Sequence, residues 1–208
     1  MTVAVIDLRI GNVRSVLNGF RRVGCTPLLA TTPGEVGDAD AIVVPGVGAF
    51  GRGMERLKEL DLVDPIRRAV AAGRPFLGIC LGMHLMADRG FEHGTSDGLG
   101  LIPGEVHRLT PGPTRRVPNM GWCDVRCVQD HPLIDGATPT SYYFAHSYHF
   151  QCAEESDCVA IVEPLGSAAP LTAMIGRDHV VGVQFHPEKS QDAGLAVLER
   201  FVGQVVVA

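Results

Sequence analysis

Over about the first hundred residues, short apolar runs alternate with stretches of helical periodicity, and this alternation constrains the fold more than any other feature. Val3-Ala4-Val5-Ile6 is an uninterrupted apolar run, as expected of a strand buried on both faces. Asn12 stands where it can cap a helix running to about Val23, with Val13, Val16, Leu17 and Phe20 at helical spacing and Gly24 as the stop. Further strands are predicted over 26–30, over 41–44 with Pro45-Gly46 ending the run, and over 76–79. Helices are predicted over 50–60, over 62–72 up to the break at Gly73-Arg74-Pro75, and from Leu81 to about Arg89. Strands alternating with helices imply a parallel sheet covered on both faces. After Gly90 the texture changes to Gly, Pro and short alternating segments. Antiparallel or mixed strands are predicted over 105–109, 122–125, 142–146, 159–162, 171–175 and 180–185, before a last helix near 194–202. No repeat, low-complexity tract or linker divides the chain. Residues 1–208 are therefore expected to form one α/β domain, a mostly parallel central sheet flanked by helices with a β-rich second half.

Composition narrows the function classes. Apolar residues make up 46% and charged residues 20%, which provides a sizeable core and argues against disorder. A net charge of -5 argues against nucleic acid or anionic membrane as a partner held by bulk electrostatics. No apolar run approaches the ~18 residues of a membrane span. The first residues lack a charged leader or small-residue cleavage site, so a cytoplasmic location is expected. The six cysteines are Cys25, Cys80, Cys123, Cys127, Cys152 and Cys158. An even count allows disulfides, but a reducing compartment argues against them, and the spacings fit no zinc ribbon or finger. No metal and no cofactor are expected, and most of these thiols are read as small hydrophobes.

The strongest local signal is Gly78-Ile79-Cys80-Leu81-Gly82. A strand enters, a helix leaves, and a nucleophile stands at the corner with glycine two residues to either side. This is a thiol version of the nucleophile elbow, in which glycines let neighbouring chain crowd a strained turn. A helix N-terminus also favours thiolate. The competing reading is a buried cysteine at a tight turn. His186-Pro187-Glu188 follows the strand Val181-Gly182-Val183-Gln184-Phe185 and offers a proton shuttle. In a parallel sheet the strands' C-terminal ends share one edge, so His186 and Cys80 can meet although distant in sequence. Glu188 can turn back to orient the imidazole, the general logic of a triad. Alternatively, His186-Pro187 is a plain turn and Glu188 a solvated charge. Pro45-Gly46-Val47-Gly48 follows the third strand at the same edge, where its backbone N–H groups can approach an oxyanion. Nucleotide binding is discounted, because there is no Walker lysine and no G-x-G-x-x-G after the first strand.

Together these three motifs resemble the class I glutamine amidotransferases. Three further stretches, Gly11-Asn12-Val13-Arg14-Ser15, Pro118-Asn119-Met120-Gly121-Trp122 and Tyr143-Phe144-Ala145-His146-Ser147-Tyr148, are similar to the branch that serves imidazole glycerol phosphate synthase in histidine biosynthesis. The resemblance is collinear over practically the whole chain. It implies that Cys80 attacks the side-chain amide of glutamine, that His186 protonates the departing ammonia, and that Glu188 holds the imidazole. Backbone around Gly46, Val47, Gly48 and Leu81 would cradle the oxyanion, and His84, His146, Ser147 and Tyr148 would contact glutamine. Ammonia would pass to a (β/α)8-barrel cyclase subunit, the heterodimer partner, with Asn12, Ser15, Asn119, Met120, Trp122 and Lys189 at or near the interface. From the residues alone, Trp122 reads equally as core packing and Lys189 as an exposed charge. Lys189 is nevertheless one of only two lysines, which makes it a candidate for an interfacial ion pair.

The chain departs from this pattern in places. His84 stands where the family typically places a glutamine that contacts substrate; it is shorter, and its charge depends on pH. Leu8-Arg9 replaces a Tyr-Gly pair, and Cys123 a polar residue. Other readings are a paralogous amidotransferase feeding a nucleotide-sugar or surface-polysaccharide pathway, a catalytically decayed binding subunit, a free-standing thiol hydrolase or peptidase, and a metal-binding protein.

Overall fold

A computed structural model describes residues 2–112, 116–162 and 169–207. The first half alternates as the sequence predicts: β1 (Val3–Ile6), α1 (Val13–Arg22), β2 (Pro27–Ala30), α2 (Pro33–Gly37), β3 (Ala41–Gly46), α3 (Phe50–Glu59), α4 (Val63–Ala71), β4 (Phe76–Cys80) and α5 (Leu81–Leu85). The second half is rich in strand: β5 (Arg89–Gly90), β6 (Ser96–Asp97), β7 (Gly104–Arg108), β8 (Asn119–Cys127), β9 (Thr140–His146), β10 (Tyr148–Cys152), β11 (Cys158–Val162), β12 (Leu171–Arg177) and β13 (Val180–Val183), closed by α6 (Gln191–Val207).

Nine strands form one mixed sheet in the order β2-β1-β3-β4-β13-β12-β11-β8-β9. From β2 to β13 the neighbours are parallel, and from β13 to β9 they are antiparallel. A smaller sheet, β10-β7-β5-β6, packs beside it. The parallel strands are apolar on both faces because each face has its own core. Ala4, Ile6, Ile42, Val44 and Phe76 point to the side covered by α3 and α4, with Met54, Leu57 and Ile66. Val3, Val5, Ala41, Val43, Leu77 and Ile79 point to the side covered by α1 and α6, with Phe20, Leu198 and Phe201. This is the period-2 alternation of a strand applied twice over. Among the described residues, no helix is long and apolar enough to cross a membrane.

Several predicted boundaries move. Pro45-Gly46 does not end β3, because Gly46 still pairs with Cys80 in the parallel register. The helix after Cys80 stops at Leu85 instead of reaching Arg89. Its downstream backbone is claimed by the loop after β6 and by the start of β7: Leu99 N–H donates to the Leu85 carbonyl (2.8 Å) and Asp88 N–H to that of Gly104 (3.0 Å). Asn12 takes the cap position of α1 without a side-chain capping bond, its amide donating to Ser15 Oγ at 2.9 Å. Four elements are unpredicted: the two-residue strands β5 and β6, β10, and the short α2, which carries a capping box between Thr32 and Glu35.

The sharp corner after β4 depends on two glycines. A Cβ on Gly82 would lie 1.6 Å from the Val44 carbonyl oxygen, and one on Gly78 would lie 2.6 Å from that of Gly82. Gly82→Ala is therefore expected to cost on the order of 3 kcal/mol or more, by overpacking against backbone that cannot yield. Gly34→Ala, on an exposed helix with nothing within 4 Å, should hold or gain stability. Urea unfolding of both variants checks this. A Gly82→Ala midpoint equal to that of the parent would refute the close-approach account.

Candidate active site

Parallel register builds the site. Gly46 lies opposite Cys80 across β3 and β4, and Val183 opposite Ile79 across β4 and β13. The loop after β3, the corner after β4 and residues 184–186 after β13 therefore emerge side by side at the C-terminal edge of the sheet. Cys80 itself has φ 54 and ψ -105, a conformation that costs a non-glycine residue roughly 1–3 kcal/mol and is maintained only by surrounding packing.

His186 and Glu188 meet at this corner. Both side chains are buried, and His186 Nδ1–H donates to Glu188 Oε1 at 2.8 Å. Burial by itself pushes an imidazole toward its neutral form. Here the hydrogen-bonding and charge interactions of Cys80 and Glu188 outweigh it and raise the pKa to about 9. The thiol exerts this effect without closing a normal hydrogen bond to His186 Nε2. The backbone of His186 is anchored as well: its N–H donates to the Tyr143 carbonyl (2.9 Å), and its own carbonyl accepts from Ser190 Oγ (2.7 Å). Ser190 Oγ in turn accepts the Tyr143 N–H (3.0 Å), tying the histidine to β9. The sequence offered no sign of this role for Ser190, since an isolated serine after a turn reads as solvent-exposed.

Cys80 opens on a cleft walled by Val47, Gly48, Leu81, His84, His146, Ser147 and Tyr148, all expected around an oxyanion and a substrate, whereas Gly46, expected with them, lines a smaller neighbouring cavity. Gly48 has φ +100, which glycine adopts without strain. His146 is held neutral: Nδ1–H donates to the Tyr148 carbonyl (2.7 Å), Nε2 accepts from the Asn119 amide (2.9 Å), and burial drives its pKa down to about 3. His84 is neutral too, its pKa lowered to about 4 by burial, with Nε2 2.6 Å from Gln184 Oε1. The Gln184 amide nitrogen faces Cys80 Sγ at 3.8 Å. The sequence offers no sign of this role for Gln184, which stands two residues before His186.

The residues expected at a partner interface fall into two groups. Asn12 and Lys189 line a second, smaller cavity behind His186 and Glu188, with Ser15 bonded to Asn12. Asn119, Met120 and Trp122 lie on β8, where Met120 is 65% and Trp122 50% exposed, so Trp122 is not a core residue. Tyr143 links the groups: the Trp122 ring meets it edge-on at 6.2 Å, and Lys189 Nζ stands 5.8 Å from its centre. Arg9 has φ 55, a left-handed conformation that a glycine would hold without strain. All six cysteines are free thiols. Among the described residues, no three His, Cys, Asp or Glu side chains gather as metal ligands.

The fold and this corner agree with the family described as "Glutamine amidotransferase class-I", whose model matches residues 4–205. Imidazole glycerol phosphate synthase subunit HisH of Zymomonas mobilis is 46% identical over 97% of this chain and 95% of its own length. The subunit of that name from Salinibacter ruber is 43% identical over 95% and 92%. The chain therefore belongs to the class I glutamine amidotransferases, and within them to the family of imidazole glycerol phosphate synthase subunit HisH. Solved structures repeat the fold at lower identity. A crystal structure of a glutamine amidotransferase superposes with a TM-score of 0.77 at 21% identity over 99% of both chains. PurLQS from Thermotoga maritima superposes with 0.75 at 15% identity over 98% of both.

The raised pKa of His186 makes a prediction with a definite sign. The folded-state value, about 9, lies above the ordinary 6.5, so the interaction stabilises the fold fully below about pH 6.5 and is lost as pH rises through about 9. NMR titration should place the loss of the His186 proton near pH 9, and Glu188→Gln should bring that midpoint down. An unmoved midpoint in Glu188→Gln would mean that the carboxylate does not govern the imidazole.

Proposed function

We propose that this chain is the glutaminase subunit of imidazole glycerol phosphate synthase, with Cys80, His186 and Glu188 as its catalytic triad. The observation that carries this reading is the convergence of a strained thiol, an imidazole raised to about 9 and its buried carboxylate at one sheet edge. In the reaction, Cys80 Sγ adds to the side-chain amide carbon of glutamine. The carbon–nitrogen bond breaks as His186 Nε2 gives its proton to the departing nitrogen, releasing ammonia and leaving a γ-glutamyl thioester. Water then attacks the thioester and yields its proton to His186, and the carbon–sulfur bond breaks to free glutamate and restore the thiolate. Backbone N–H groups about Gly48 and Leu81 stabilise the oxyanion in both steps, while His146, Ser147 and Tyr148 hold the substrate.

The ammonia is delivered to a (β/α)8-barrel cyclase subunit, which forms imidazole glycerol phosphate and aminoimidazole carboxamide ribotide in histidine biosynthesis. The exposed Met120 and Trp122, with Lys189 beside Tyr143, form the docking face. In this reading residues 1–208 act as one glutaminase domain in the cytoplasm. A paralogue serving nucleotide sugars is disfavoured by the full-length relatives of the HisH name, and a decayed subunit by the presence of Cys80 beside a hydrogen-bonded His186–Glu188 pair.

Two experiments test the assignment. Glutamate release from glutamine should be slow for the isolated chain and rise strongly with the barrel subunit and its nucleotide substrate. Release that responds to the partner but ignores the nucleotide would point to a paralogous pathway. In the complex, Cys80→Ser should abolish glutamine-dependent turnover and leave ammonia-dependent synthesis intact, since the barrel performs that chemistry. Loss of both from a folded complex would break this division of labour.

A further inference from the structure

Two buried polar side chains beside Cys80 have no task in the mechanism above. Gln184 is fully buried and His84 is 5% exposed, and burying such groups is costly unless their polar atoms are used. Both ends of the Gln184 amide are used: Oε1 lies 2.6 Å from His84 Nε2, and Nε2 lies 3.8 Å from Cys80 Sγ. The topology explains the meeting. Gln184 follows β13, whose Val183 pairs with Ile79 beside the corner. His84 stands four residues after Cys80, one helical turn along α5, and so on the same face.

Chemistry fixes the direction of this chain. A thiolate has no proton to give, so the amide end that serves the reactive form of Cys80 is the NH2. The carbonyl oxygen then faces His84 and can only accept, which puts the imidazole proton on Nε2. Burial holds His84 neutral, with one N–H to commit, and the charge of His149 nearby acts in the same sense.

We propose that His84 is a positioning residue acting through Gln184: its Nε2–H holds the amide carbonyl, and the amide N–H held in this way hydrogen-bonds the Cys80 thiolate. Gln184 touches the reacting sulfur, whereas His84 does not need to touch glutamine. The proposal deepens the glutaminase reading and rests on it for its place in the reaction, but the reactivity of the thiol can be measured independently.

The test follows alkylation of Cys80 by iodoacetamide in the full chain at pH 7, quantified on the peptide by mass spectrometry. It is paired with kcat and KM for glutamine in the partner complex. His84→Met and Gln184→Met are each expected to slow alkylation about tenfold, the worth of one hydrogen bond to a charged group, and to lower kcat with KM nearly unchanged. The double variant should be no slower than either single one, because the two act in one chain. His84→Gln, which keeps an N–H donor at similar reach, should recover most of the rate, whereas the shorter His84→Asn should not. That last pair decides the matter if a methionine variant fails to fold. A raised KM with unchanged alkylation in His84→Met would make His84 a direct substrate contact and overturn the proposal, as would losses that multiply in the double variant. If the wild-type complex releases no glutamate, the glutaminase reading fails, while the alkylation rates still decide the role of His84.

Discussion

The site depends on how closely the first turn of α5 packs on β3. Only a residue without a side chain at position 82 lets the helix approach the Val44 carbonyl, and only then can β4 turn into α5 with Cys80 at the corner in its strained conformation. Packing of this kind fixes geometry better than polar contacts do, because atoms pressed together at van der Waals distance have no alternative arrangement of similar energy. The positions of Gly46 beside the thiol and of His186 across from it follow from the parallel register on either side of β4.

Electrostatics then gives three buried histidines different characters. His186 meets a carboxylate and a thiol, and it is pulled toward its charged form against the cost of burial. His84 and His146 hydrogen-bond to amides and carbonyls instead of a carboxylate, and burial keeps them neutral. The same side chain is thus prepared as a proton carrier in one place and as an oriented hydrogen-bonding group in two others. No sequence pattern separates these roles; the identity of the partner does.

Much of the architecture was legible because its signals are local. The apolar runs of β1, β3 and β4 and the spacing of Val16, Leu17 and Phe20 on α1 report burial directly. The elbow glycines report a close approach before its partner is known. Legibility failed where a distant segment competes for backbone hydrogen bonds. Leu99 and Gly104 end α5 early by engaging Leu85 and Asp88, and β10 exists because it pairs with β7 about forty residues upstream. Gln184 and Ser190 are illegible in the sequence for a related reason, since a polar residue acquires a role inside a fold only through the groups it is buried against.

By itself, the sequence determined the layered α/β plan, the nucleophile at a glycine-flanked corner, the His-Pro-Glu element to serve it and the resemblance to the class I glutamine amidotransferases. Each of these rests on residue type at short spacing, where periodicity and steric demand act directly along the chain. Only the tertiary structure decided that His186 is raised while His84 and His146 are neutral, that Gln184 reaches the thiol, and that Trp122 faces outward beside Tyr143. Those outcomes depend on burial and on contacts between residues a hundred or more positions apart, such as His84 and Gln184. Pairing over such distances is set by sheet register and by the low polarizability of the interior, which neither spacing nor composition encodes.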